Sequence, residues 1–310
     1  LVIKDFKTGE TRTLTDTLDR SIADIQWSDN SKRIWIGYDD LGVGRVAEVD
    51  LNGKLRKAEI VIGGTAIGRP YTSGAFSVGG DAWLAFTQGR DDRPADIAVF
   101  RPGKAPLQLT DLNSDLMGQR QMARVERLVW PSSHDELMIE GWVMKPPGFD
   151  PSRQYPMILE IHGGPHAAYG PNYSTEAQLY AAAGYVVFYT NPRGSTSYGD
   201  TFANEIDLAY PGYDYDDLMS GVDALIEKGF VDPTQLFVTG GSGGGVLTAW
   251  IVGKTDRFRA AVVAKPVINW ASFVLTADVN YYFATTWFDA PPWEDYESYW
   301  RRSPLSLVGN

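Results

Sequence analysis

The sequence predicts an α/β domain with a mostly parallel sheet, preceded by an all-β segment. Three observations carry this. From about residue 124 to residue 310, strand-like apolar runs alternate with amphipathic helical stretches. One strand, Leu236-Phe237-Val238-Thr239, runs straight into the glycine-rich turn Gly240–Gly245 and then into helical Val246–Val252. Residues 1–123, by contrast, alternate short aromatic-containing runs with turn signals and show no helical period.

In residues 1–123 the turns Thr8-Gly9-Glu10, Asn52-Gly53-Lys54 and Pro102-Gly103-Lys104 lie roughly 44 and then 50 residues apart. Ile25–Ile36 and Ala75–Phe86 repeat one pattern at a similar interval: aromatic strand, polar turn, aromatic strand. Such a period matches propeller blades of four strands, with an irregular β-sandwich as the competing architecture. Two to three blades cannot close a ring, so 1–123 is expected to be the last part of a β-propeller with further blades upstream.

From residue 124 the expected strands are Arg127–Pro131, Leu137–Lys145, Tyr155–His162, Tyr185–Thr190, Gln235–Thr239 and Arg259–Ala264. Helices are expected near 173–183, 214–228 and 245–254. In the second, Leu218, Val222, Leu225 and Ile226 share one face, and Gly229 offers a C-terminal cap. Alternating β and α segments imply a parallel sheet covered on both sides. The domain is therefore placed at 124–310.

Composition narrows the function. A formal charge of −11 without any basic run argues against nucleic acid as partner, since phosphate binding needs clustered Lys and Arg. The chain has no cysteine, which removes disulfides, thiolate zinc sites and thiol nucleophiles. No apolar run approaches the ~18 residues of a membrane span, so no membrane partner is expected. The first residue is Leu1, in what reads as a strand interior. The expectation is that the natural N-terminus lies upstream, which leaves the compartment open.

Gly240-Gly241-Ser242-Gly243-Gly244 is G-x-S-x-G in the context it requires, a strand, a sharp turn and a helix. This makes Ser242 the candidate nucleophile of an α/β-hydrolase fold, and the Gly243 amide, at the helix N-terminus, a candidate oxyanion donor. Nucleotide-binding turns fail on residues. A Walker loop needs Lys where Val246 stands, and no frame supplies the three glycines of a dinucleotide fingerprint. A glycine-rich turn with no chemistry is the remaining alternative.

A second motif weighs against that alternative. The strand Tyr155–Ile161 ends in His162-Gly163-Gly164-Pro165-His166. In this fold the loop after that strand supplies the other oxyanion amide, which points to Gly163 and Gly164. The two histidines sit in a Gly-Pro loop and share no helix face, so metal binding is not expected, and no cofactor is implied. His134 reads as a solvated loop residue.

These residues together resemble the prolyl oligopeptidase family, and within it the acylaminoacyl-peptidase branch. The matching stretches are His162–His166, Asn191–Gly199 (NPRGSTSYG), the turn around Ser242, Trp250–Trp270 with its closing Pro266-Val267-Ile268-Asn269-Trp270, and Ser303-Pro304-Leu305. The resemblance covers roughly 125–310 and implies a propeller ahead of the hydrolase domain. It also implies a serine peptidase working through an acyl-enzyme on short peptides that pass the propeller, without metal or organic cofactor. One departure stands at Gly243, where the family usually has tyrosine, and another at Val246. The first is expected to leave a more mobile elbow and a wider pocket beside the nucleophile.

A serine nucleophile needs a base held by a carboxylate, and in this fold both follow the serine. His134, His162 and His166 all precede Ser242, and no histidine follows it. The expectation is that the chain is a segment whose catalytic Asp and His lie beyond Asn310. An esterase on the same fold, and an inactive relative acting as an interaction protein, are the alternatives. The absence of a Glu-Glu pair weighs weakly against a dipeptidyl peptidase. Arg193 is a candidate substrate contact, with a structural ion pair the preferred alternative. The oligomeric state is open, a homo-oligomer included.

Overall fold

The computed structural model describes residues 1–310, the side chain of Asn280 excepted. The chain forms two compact units. Leu1–Met122 with Ala168–Glu176 and Thr196–Asp200 makes the first, and Ala123–Ala167, Ala177–Ser195 and Thr201–Asn310 the second.

The first unit is built of antiparallel sheets. Strands β1 (Val2–Lys4) and β2 (Thr11–Thr13) form a pair. β3 (Ile22–Trp27), β4 (Arg33–Asp40), β5 (Val43–Asp50) and β6 (Leu55–Lys57) form a four-stranded meander. β7 (Phe76–Val78), β8 (Leu84–Gln88), β9 (Asp96–Phe100) and β10 (Leu107–Gln108) form a second, followed by the short helix α1 (Ser114–Met117). Because side chains alternate across a strand, β4 feeds two cores. Trp35 joins Val46, Phe76, Leu84 and Phe86. Ile34, Ile36 and Tyr38 join Leu14, Ala47 and Val49 instead. Each buried Val, Leu, Ile or Phe among these is worth about 1.5–3 kcal/mol relative to exposure. Two later segments complete this unit through backbone bonds. Thr72 N donates to Ala168 O at 2.8 Å, Thr175 N to Ile67 O at 2.8 Å and Leu41 N to Ser197 O at 2.9 Å.

The second unit centres on one six-stranded sheet of β11 (Val125–Pro131), β12 (Met138–Met144), β13 (Tyr155–Ile161), β14 (Val186–Asn191), β15 (Val231–Gly241) and β16 (Phe258–Ala264). Its order is β11-β12-β14-β13-β15-β16. The first two pairings are antiparallel, and those among β14, β13, β15 and β16 are parallel. This is the α/β-hydrolase sheet the alternation predicts. β13 and β14 are almost wholly buried, as strands covered on both faces must be.

The helices of this unit are α2 (Thr175–Ala182), of which Thr175 and Glu176 belong to the first unit, then α3 (Asp200–Asn204), α4 (Asp214–Ile226) and α5 (Gly243–Lys254). The apolar face of α4 buries Leu218, Val222 and Leu225, and Gly221 lets the helix approach Trp130, whose ring lies 2.6 Å from where a Cβ would stand. The aromatic-rich stretch after β16 folds into α6 (Trp270–Thr276), α7 (Asn280–Thr286) and α8 (Tyr296–Arg301). Trp270 is their hub, meeting Phe273, Phe283, Trp287 and Phe288.

Register decides where the site forms. Ile161 of β13 is the partner of Gly240 in β15, and Gly240 is the partner of Val263 in β16. Three parallel strands thus end at one level, and the loops that follow them converge there.

Candidate active site

Ser242 links β15 to α5 with φ 57° and ψ −118°, a conformation that L-residues rarely hold. Its amide donates to Ala264 O at 3.0 Å and its carbonyl accepts from Val246 N at 3.0 Å, so both neighbours of the turn hold it. Ser242 itself is exposed, while Gly243, Gly244 and Gly245 are buried.

Three glycines of the run have a steric reason. A Cβ on Gly240 would stand 2.5 Å from Gly244 O, one on Gly244 2.1 Å from Ile161 O, and one on Gly245 2.3 Å from Ala264 O. α5 therefore starts wedged among the carbonyl ends of β13, β15 and β16. The Gly243 amide opens this helix, where the helix field favours negative charge.

A side chain at position 243 would find no room on this backbone. A Cβ there would stand 2.7 Å from Gly164 O and 3.0 Å from Gly164 N. The backbone of the His162–His166 loop fills the side where the family usually carries tyrosine. Gly164 has φ 130°, open to glycine alone, and it is exposed beside the turn, whereas Gly163 is buried.

That loop is held by its two histidines. His162 is buried; its Nδ1–H donates to Gly163 O at 2.8 Å, and its Nε2 lies 2.9 Å from Ser195 Oγ. Burial drives its pKa down to about 4, against a smaller opposing effect of the Gly163 bond, so the ring is neutral. His166 Nδ1–H donates to Gly194 O at 3.0 Å. Both rings thus grip the loop after β14. Ser195 and His162 make a serine–histidine contact of catalytic length, but Ser195 is fully buried and its hydroxyl also lies 2.6 Å from Pro192 O. His134 is exposed and stacks on Tyr213, ring centroids 3.4 Å apart.

Arg193, next to that grip, is buried. Its Nε and Nη2 fork onto Asp217 at 3.0 and 2.9 Å, and its Nη1 and Nη2 meet Asp135 at 3.1 and 2.9 Å. Its backbone N–H donates to Asp217 Oδ2 at 2.8 Å. Burial alone would lower its pKa; the bonds to Asp217 and then Asp135 outweigh that and raise it. The guanidinium is thus committed to two carboxylates of its own unit.

Several residues of this site escaped the sequence reading. Asp214 and Asp217 lie in the first turn of α4, both buried. Asp214 Oδ1 accepts from Gly212 N and Tyr215 N, each at 2.8 Å, while Oδ2 is buried without a hydrogen-bond partner. Burial raises its pKa to about 7. A signal existed: the two acids continue the apolar face of α4, at i−4 and i−1 from Leu218, where solvated charges do not belong. Tyr210 is buried and its hydroxyl donates to Gly243 O at 2.8 Å. No local pattern marks that contact.

Among the described residues no group of three acidic or histidine side chains is placed to hold a metal, and no helix is long and apolar enough to cross a membrane.

Residues 171–310 match the prolyl oligopeptidase family. An uncharacterized peptidase of Bacillus subtilis, YuxL, is 41% identical over 222 residues, which are 71% of this chain and 34% of that protein. Dipeptidyl-peptidase 5 of Schizosaccharomyces pombe is 31% identical over 216 residues, 67% of this chain and 31% of that one. Among solved structures, Pyrococcus horikoshii acylaminoacyl peptidase superposes with a TM-score of 0.84 at 25% identity, over 97% of this chain and 46% of that one. The chain thus spans about a third of these two relatives and just under half of the solved protein.

Proposed function

This chain belongs to the prolyl oligopeptidase family, and from that premise we propose that its protein is a serine peptidase acting on short peptides, with Ser242 as nucleophile. The observation that carries the reading is the strained, exposed Ser242 at the mouth of α5, with Gly164 packed on Gly243 beside it. Ser242 Oγ attacks the peptide carbonyl, the carbon becomes tetrahedral, and its oxygen takes the negative charge. The Gly243 amide and the Gly163–Gly164 backbone supply the donors for that oxygen, a contribution typically worth about 10²–10³ in rate per donor. Collapse expels the amine and leaves an acyl-Ser242 ester, which water then hydrolyses.

In this reading none of the three histidines of residues 1–310 is the base for Ser242. His162 is neutral, buried and turned to Ser195, His166 is bonded to Gly194, and His134 lies against Tyr213. Arg193 is assigned to holding the loop, since Asp217 and Asp135 occupy its donors. The four-stranded meanders of the first unit fit propeller blades.

The test uses the protein as its gene encodes it. A fluorophosphonate should label Ser242, Ser242→Ala should abolish both labelling and turnover, and acylated or free dipeptide anilides should be hydrolysed. Hydrolysis of matched esters with no amide cleavage would replace the peptidase reading with an esterase. Absence of labelling would remove the nucleophile.

A further inference from the structure

The residue after the candidate nucleophile has no side chain, so nothing of its own anchors the start of α5. On one side Gly243 meets the Gly164 backbone. From another element Tyr210 reaches it, 33 residues earlier in the chain, and its hydroxyl donates to Gly243 O at 2.8 Å in a buried setting. The Tyr210 ring cannot swing away, because it packs edge-on against Trp287 at 5.1 Å and Trp270 at 6.1 Å. Its backbone is secured downstream as well. Gly212 N and Tyr215 N both donate to Asp214 at the first turn of α4, and Asp217 in the same turn clamps Arg193. A rigid helix terminus and an aromatic cluster therefore hold one phenol against one carbonyl.

We propose that Tyr210 is a positioning residue for the nucleophile turn, holding the Gly243 carbonyl so that the Ser242–Gly243 peptide keeps its amide aimed at the oxyanion. The inference rests on the peptidase reading of Ser242. Gly243 O belongs to the peptide unit next to the one that bears the donor. A shift of that carbonyl rotates the turn, and small misplacements near reacting atoms are costly. Tyrosine at 210 thereby restrains from outside a glycine that has no side chain to restrain it.

Tyr210→Phe keeps the ring and removes only the hydroxyl. Tyr299→Phe is the control. Tyr299 is also buried in the aromatic cluster, and its hydroxyl donates to a backbone carbonyl, Ala290 O, at 2.9 Å. In the protein as its gene encodes it, Tyr210→Phe should lower kcat roughly 10-fold with KM changed less than about twofold. Fluorophosphonate labelling of Ser242 should slow in parallel, and Tyr299→Phe should leave both unchanged. Labelling followed in the soluble fraction gives the same ratio if yields are poor. A wild-type rate in Tyr210→Phe, or an equal loss in Tyr299→Phe, overturns the positioning role while the peptidase reading stands. A wild-type protein whose Ser242 takes no label overturns both.

Discussion

Gly164 lies so close to Gly243 that a Cβ on Gly243 would stand 2.7 Å from the Gly164 carbonyl oxygen. The obstacle is backbone, so no rotamer change relieves it. Gly243→Ala should push the His162–His166 loop off the turn and move both oxyanion donors together. The expected result is a loss of about 10²-fold in kcat with KM little changed, measured on an anilide substrate. Wild-type kcat in Gly243→Ala would show that the two glycines are not packed as described.

Ser242 pays for its backbone conformation, φ 57° and ψ −118°, at a cost on the order of 1–3 kcal/mol. Glycine adopts these angles freely. Ser242→Gly should therefore be more stable than Ser242→Ala by about 1 kcal/mol in urea unfolding, although both abolish hydrolysis. Equal midpoints would mean the turn stores no strain.

Two buried groups give opposite pH dependences over one window. His162 falls from its ordinary 6.5 to about 4 through burial, so the unfolded chain binds the extra proton between those values. Its contribution is complete above pH 6.5 and is lost as pH falls toward 4. Asp214 rises from 3.8 to about 7, again chiefly through burial, so the folded chain holds the extra proton. Its contribution is complete below pH 3.8 and is lost as pH rises toward 7. Each effect is on the order of 3 kcal/mol, and from about pH 4 to 6.5 they offset each other. Relative to wild type, Asp214→Asn should gain stability as pH rises through that window, and His162→Gln should lose it. Denaturation midpoints at pH 4.5 and 6.5 check both signs.

Arg193 and Asp217 are buried together, with side-chain exposures of 2% and 0%. Removing one partner strands the other charge, which typically costs about 3–5 kcal/mol. Arg193→Met should be destabilised by that order, and Arg193→Met with Asp217→Leu by clearly less. A substrate-binding Arg193 would behave otherwise, raising KM while leaving the unfolding midpoint in place.

The local sequence determined the elements and the turn. Alternating strands and helices after residue 124 imply the sheet, because an apolar run buried on both faces can sit only inside such a layer. The run Gly240–Gly245 implies the sharp turn at Ser242, because only glycines pass between the carbonyl ends of three strands. Tertiary structure decided what closes on that turn. Gly243 left space on paper, and Gly164 fills it only because β13 and β15 end in register. Arg193 carried two readings until Asp217, 24 residues later, proved to lie beneath it. The segments 168–176 and 196–200 read as parts of the second half, yet their backbones bond to the first unit's loops and strands. Tyr210 carries no motif at all. Periodicity records which face of an element avoids water, a property of neighbours three or four residues apart. The partner of a phenol 33 residues away depends on how the chain returns, and that is set by the packing of the whole unit.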